Sequence, residues 1–198
     1  PLSLENCFTV CWWDQRGARL SYSPDIPLET MNFEQLISDV LEVTNYLRKR
    51  FDQEKIYLMA HSGGTFTGIQ AAARAPELYE AYIAVSQISN QAESERLAYN
   101  YMTEQFTRLG DKKMLREFAK YPVDKINTPE YYVMRDKPMH RLGIGTTHAM
   151  RSVITGVFIP VMLLREYTPA EKINVWRGKA MTTNTAGLWN KLVVTDLT

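Results

Sequence analysis

Net charge, cysteine, histidine and long apolar runs are all scarce in this chain of 198 residues. Its 23 basic and 22 acidic residues leave a formal net charge of +1, which gives no electrostatic case for nucleic acid. No basic stripe with interleaved stacking aromatics is present either. Apolar runs such as Val157-Phe158-Ile159-Pro160-Val161-Met162-Leu163-Leu164 are far too short to span a bilayer. No signal peptide, low-complexity tract or internal repeat is visible. The two cysteines, Cys7 and Cys11, lie four apart in a segment that reads as a strand. At ~3.3 Å per residue that puts them roughly 13 Å apart, beyond the ~7 Å that a disulfide can bridge. Without histidine or acid partners at ligand spacing they make no zinc site, and no metal or cofactor is expected. The expectation is two reduced, buried thiols in a cytoplasmic protein.

What is present is concentrated in Ile56-Tyr57-Leu58-Met59-Ala60-His61-Ser62-Gly63-Gly64-Thr65. A short apolar run ends in a serine flanked by very small residues, and a helix-compatible segment, Phe66 to Arg74, follows. This is the sequence form of a nucleophile elbow, in which a serine sits on a tight strand-to-helix turn with its hydroxyl exposed. Small residues two before and two after the serine, Ala60 and Gly64, would let strand and helix approach closely. A serine at a helix N-terminus has backbone N–H groups and the positive end of the helix dipole beside it, where charge develops on a substrate oxygen. The plainer alternative is an ordinary strand–turn–helix with an incidental serine.

The flanking pattern supports the elbow. Cys7 to Trp13 reads as a buried strand that Asp14-Gln15-Arg16-Gly17 ends. Asn32 is a helix N-cap with Gln35 three residues on, and Met31 could staple onto Leu36. Phe33, Leu36, Ile37, Val40, Thr44, Leu47 and Phe51 then follow helical spacing. After the elbow strand and its helix comes another short strand, from about Ala81 to Ser86. Strand, helix, strand, helix, strand is the pattern of a parallel sheet with crossover helices, and ligands bind at the carboxyl ends of such strands.

Taken together, Trp12-Trp13-Asp14-Gln15-Arg16-Gly17, the helix Glu34 to Arg50 and the elbow Ala60 to Gly64 resemble the α/β-hydrolase superfamily, most closely its proline iminopeptidase branch. The resemblance is strong over roughly residues 5 to 90. It implies an α/β fold, part of an α/β-hydrolase parallel sheet carrying a helical cap insertion. It implies further that Ser62 is the acyl-forming nucleophile and that the Gly63 N–H is one oxyanion-hole donor. Asp14 and Arg16 match a family signature read here as holding the strand-end loop in place.

Several family features have no counterpart in this sequence. Nothing matches a His-Gly-Gly-Pro-Gly-like oxyanion loop before the Asp-Gln-Arg-Gly strand. The triad acid and histidine, which follow the serine on strands beyond the cap, have no evident match. Of the three histidines, His61 adjoins the nucleophile at a turn where neighbouring side chains diverge, and His140 and His148 fall inside the expected cap. The expectation is an internal piece of a hydrolase, inactive alone. It comprises a partial core over 1–87 with the elbow, a helical cap over 88–190, and the start of a return to the core over 191–198.

Within the cap span, Glu93 to Leu109 and Lys112 to Tyr121 read as helices. Thr168-Pro169-Ala170-Glu171 is a capping box with proline at the first helical position, opening a helix to about Lys179. Tyr99, Met102, Phe106, Met150, Phe158, Trp176 and Trp189 could line an apolar pocket or form the cap core. Gly143-Ile144-Gly145-Thr146-Thr147 lacks both the leading strand and the Lys-Ser/Thr ending of a phosphate loop, so nucleotide binding is rejected.

Functionally, the chain reads as a metal-free serine hydrolase acting by acyl transfer. By resemblance its substrate is a peptide or amino-acid amide with a free N-terminus, with N-terminal proline as one candidate. Glu93, Glu95, Glu104 and Glu166 are the carboxylates available to meet that ammonium. A small-molecule carboxylesterase is the nearest alternative, because one elbow serves esters and amides. A non-catalytic hydrolase-like binding module is the other.

Overall fold

The computed structural model describes residues 3–126, 128–144, 149–184 and 188–198. Its elements in chain order are α1 (Phe33–Phe51), β1 (Ile56–His61), α2 (Gly64–Arg74), β2 (Tyr79–Val85), α3 (Gln91–Arg108), α4 (Lys112–Phe118), α5 (Pro129–Arg141), a π-helical turn (Ile154–Phe158), α6 (Ile159–Leu163), α7 (Pro169–Asn184) and α8 (Leu188–Val194), with short 3-10 turns between. The chain divides into two compact units. One holds the residues through Ser86 together with Thr168–Leu188, and the other holds Gln87–Tyr167 and Trp189–Thr198.

In the first unit, α1 starts where the sequence signals it. The Asn32 side chain accepts the Gln35 N–H at 2.9 Å, satisfying one of the free donors at the helix start. Phe33, Leu36, Ile37, Val40 and Thr44 form the buried stripe. β1 and β2 pair in parallel, from Tyr57 opposite Ala81 to His61 opposite Val85, with α2 as the crossover. Along β1, Ile56, Leu58 and Ala60 are half-buried while Tyr57, Met59 and His61 are exposed. Ile37, Val40 and Ala71 join Leu41 and Leu58 in one core cluster, and the rings of Phe33 and Phe66 stack 4.3 Å apart. The buried hydroxyls of Thr44 and Tyr79 meet at 2.9 Å and tie α1 to β2.

The segment Cys7–Trp13 departs from expectation. It is not a strand and it is not buried. A 3-10 turn at Leu4–Asn6 leads into chain without regular structure, Trp12 is 84% exposed, and both thiols are exposed. A short apolar run is buried as a strand only when neighbours pair with it. Among the described residues the sheet has two strands, and this segment joins neither. Its Phe8 ring instead meets Tyr57 edge-on, with centroids 5.4 Å apart. Two exposed thiols carry no sign of a reducing compartment.

The capping box at α7 forms as read, with the Thr168 N–H donating to Glu171 at 2.7 Å and the Glu171 N–H donating back to the Thr168 hydroxyl. The helix runs on to Asn184 rather than Lys179. It belongs with the first unit, whereas the sequence reading groups it with the insertion. The reason is a close backbone contact: a Cβ at Gly178 would lie 2.5 Å from the Gly17 carbonyl oxygen. Gly17 itself needs a positive φ of 74°, which explains the glycine closing Asp-Gln-Arg-Gly.

The regular elements described in the second unit are helices, apart from one bridge between Asn90 and Asp196. Met102, Phe106, Met114, Phe118, Ile126 and Tyr131 form its core, with Tyr99 packed against them. Of the other aromatic and methionine residues noted above, Met150 is buried and Phe158 is exposed. Trp176 lies on α7 in the first unit, and the Trp189 side chain lies outside the described residues.

Candidate active site

Ser62 stands between β1 and α2 with φ of 51°, in the left-handed region. Gly63 follows in right-handed helical geometry and α2 begins at Gly64. The turn is held from both sides. The Ser62 N–H donates to the Val85 carbonyl at 2.9 Å, extending the ladder one residue past the strands. The Ser62 carbonyl accepts the Thr65 N–H at 2.9 Å and the Thr65 hydroxyl at 2.6 Å. Ser62 is exposed, and its backbone conformation costs about 1–2 kcal/mol for a residue with a Cβ. Among the described residues, the N–H groups of Gly63 and Gly64 have no acceptor. Two free donors at a helix start, beside an exposed hydroxyl, can receive a developing oxyanion.

The close approach of strand and helix is real, but one of its two partners differs from the expected one. Ala60 is correct. Its counterpart is Gly68, where a Cβ would lie 3.0 Å from the Ala60 Cβ and 3.0 Å from the Tyr82 ring, whereas a Cβ at Gly64 would meet nothing within 4 Å. The sequence carried a signal for this. A glycine inside a helix costs about 1 kcal/mol relative to alanine, so an interior glycine calls for a packing reason.

Arg16 and Asp14 act on the loop after Trp13. The Arg16 guanidinium donates through Nε and Nη2 to Asp39 at 2.8 and 2.7 Å, and Gln35 donates to the same carboxylate at 2.8 Å. Burial pushes the Asp39 carboxyl up, but the bonds from Arg16 and Gln35, with the Arg16 charge, together hold it below its ordinary value. Asp14 accepts from Arg19 and from the Leu20 N–H, both at 3.3 Å, and its carbonyl takes the Ser21 hydroxyl at 2.8 Å. Asp39 was missed from sequence. Its sign is a charged residue seated between Leu36, Ile37 and Val40 on the buried face. Ser86, left-handed with φ of 56° at the end of β2, left no sequence signal at all.

Of the two described histidines, His61 belongs to the first unit and His140 to the second. His61 is exposed at the end of β1. His140 has its ring buried, Nδ1 2.8 Å from the Asp136 carbonyl and Nε2 without a partner among the described residues. His148 lies outside the described residues, as do Gly145, Thr146 and Thr147. The four glutamates separate clearly. Glu93 and Glu104 pair at the surface with Arg96 and Arg108, and Glu166 is exposed. Glu95 is buried and bonded to Gln91 at 2.6 Å and Arg135 at 2.8 Å. Burial raises the Glu95 carboxyl above its ordinary value despite both partners. A groove of about 440 Å³ between α4 and α5, floored by Met114, Met134 and Pro138, includes none of these residues. Among the described residues no cluster of three or more His, Cys, Asp or Glu could hold a metal ion. No helix among them is long and apolar enough to cross a membrane.

A left-handed serine at the carboxyl end of a strand, opening the crossover helix of a parallel pair, is a strand-to-helix elbow of the α/β class. Comparison with known proteins narrows the class. The family described as "Serine aminopeptidase, S33" matches residues 4–141, and the chain belongs to that family, whose fold is that of the α/β hydrolases. The chain is also 38% identical over 101 residues to the protein named "Probable aminopeptidase YbaC" of Bacillus subtilis (strain 168). That match spans 51% of this chain and 32% of the relative's length. No solved structure matches the chain.

Proposed function

We propose that this chain carries the nucleophile of a serine hydrolase that releases an N-terminal residue, proline among them, from a peptide or amino-acid amide. The observation that carries the reading is the left-handed Ser62 between β1 and α2, with two free N–H groups beside it. Ser62 attacks the scissile carbonyl, and the Gly63 N–H helps to hold the oxyanion. A histidine backed by a carboxylate takes the serine proton and returns it to the leaving amine. Family membership and the relative's name favour an aminopeptidase over a carboxylesterase. A non-catalytic module would have no use for backbone strain at an exposed serine, since such strain gathers where function needs it. In this reading the helical second unit corresponds to the family's cap insertion.

The test is labelling of the full protein with a fluorescent alkyl phosphonate, the adduct being mapped by peptide mass. Labelling at Ser62, lost in Ser62→Ala and slowed by a prolyl amide more than by a short-chain aryl ester, is the expected result. Labelling elsewhere, or unchanged labelling in Ser62→Ala, overturns the reading. Stronger protection by the ester moves the assignment to the esterase.

A further inference from the structure

Two serines in the left-handed region stand side by side at the carboxyl end of the sheet. Ser62 has φ of 51° and Ser86 has φ of 56°. Each directly follows its strand, β1 ending at His61 and β2 at Val85, and these two residues are register partners. Holding a residue with a Cβ in this region disfavours the local conformation roughly ten-fold, so two at one sheet end require a reason. The Ser62 N–H donates to the Val85 carbonyl at 2.9 Å, and that carbonyl shares a peptide plane with the Ser86 nitrogen. The acceptor is thus the last carbonyl of the ladder, one peptide plane from the turn at Ser86, so a change of φ at Ser86 reaches it through that plane. The Ser86 side chain is exposed, and among the described residues its hydroxyl makes no hydrogen bond, so the backbone rather than the hydroxyl carries the effect.

We propose that Ser86 is a positioning residue for the nucleophile. Its left-handed turn ends β2 at Val85 and sets the Val85–Ser86 peptide so that the carbonyl takes up the Ser62 N–H. That contact uses the one amide at the turn which is not needed for an oxyanion, and it leaves the Gly63 and Gly64 N–H groups free. The proposal rests on the hydrolase reading for its consequence and on backbone geometry alone for its mechanism.

Its test compares Ser86→Gly and Ser86→Asn, which tolerate positive φ, with Ser86→Val, whose branched Cβ does not. Two quantities are read on folded full-length protein: the phosphonate labelling rate at Ser62 and the hydrogen-exchange rate of the Ser62 amide. The Gly and Asn variants should stay within about two-fold of the parent in both. Ser86→Val should label roughly ten-fold more slowly and exchange faster by a similar factor. If Ser86→Val does not fold, Ser86→Thr against Ser86→Gly decides, since threonine keeps the hydroxyl and its branched Cβ alone resists the turn. Equal labelling and exchange across the set would overturn the proposal. So would slowing in Ser86→Gly, which would assign the role to the hydroxyl. If the parent protein does not label, the hydrolase reading fails, and Ser62 amide exchange still decides the positioning claim.

Discussion

Replacing Asp39 by asparagine should unfasten the Asp14–Ser21 loop from α1 while leaving the elbow intact. The parent carboxylate accepts two bonds from Arg16, at 2.8 and 2.7 Å, and one from Gln35 at 2.8 Å. Asparagine keeps one acceptor oxygen and turns an NH₂ group toward the guanidinium, so one charge-assisted bond is lost and the charge pairing goes with it. Hydrogen bonds to charged groups contribute about 1.5–3 kcal/mol. The Asp39 side chain is 10% exposed and that of Arg16 is 31% exposed, so partial rehydration of the arginine holds the loss near the lower end, about 2 kcal/mol. For a unit near 100 residues, 1 kcal/mol moves the melting temperature by roughly 4–8 °C, so the first unit should melt about 10 °C lower.

The sharper assay is a double-mutant cycle with Arg16→Met, read by urea denaturation. A coupling of about 2 kcal/mol is expected, and a value below ~0.5 kcal/mol, the scatter of independent sites, would refute the pairing argument. The pH dependence supplies a second check. Because the folded Asp39 carboxyl sits below its ordinary value of 3.8, its contribution is present above that value and is lost as pH falls through the lowered one. The cycle's coupling should therefore persist at pH 7 and shrink below about pH 4. Phosphonate labelling of Ser62 per folded molecule should not change in any member of the cycle. Loss of labelling in folded Asp39→Asn would give Arg16 and Asp39 a part in the chemistry.

Gly68→Val should destabilise the first unit by about 1–3 kcal/mol through overpacking against Ala60, whereas Gly64→Ala should stay within about 1 kcal/mol of the parent. Equal effects at the two glycines in thermal melts would show that the strand–helix contact is misplaced. In the second unit the buried Glu95 carboxyl is raised above its ordinary value of 4.5. Its contribution to stability is therefore present below that value and lost as pH rises through the raised one. α3 amides should be better protected from exchange at pH 4.5 than at pH 7 after correction for intrinsic rates, unless Glu95 is replaced by glutamine; the same trend in that variant would refute the assignment. Cys7 and Cys11 should both react with a maleimide under native conditions at rates near those of a free thiol peptide, and protection of either one would restore the buried strand.

Elements whose signals are local were legible in the sequence. The Asn32 cap, the apolar stripe of α1 and the Thr168–Glu171 box each specify a helix within a few residues of the feature that announces it. β1 was legible because a strand, a serine and two glycines in succession leave few alternatives. The strand expected at Cys7–Trp13 was misread for the opposite reason: strand identity belongs to a ladder, and no local pattern reports whether a neighbour is there to pair. The site shows the same division. The left-handed turn at Ser62 was legible from its own flanks, yet the places of Asp39, Gly68 and Ser86 were not, because each is defined by a partner elsewhere in the chain. Gly64 and Gly68 make the point most directly. Both are small, both lie on α2, and the motif draws attention to Gly64, which in this fold has open space around it. The contact that brings helix and strand together runs through Gly68 because Ala60 and Tyr82 face it. The motif thus marks where the turn is, while the residues that make the turn possible are chosen by packing across the sheet.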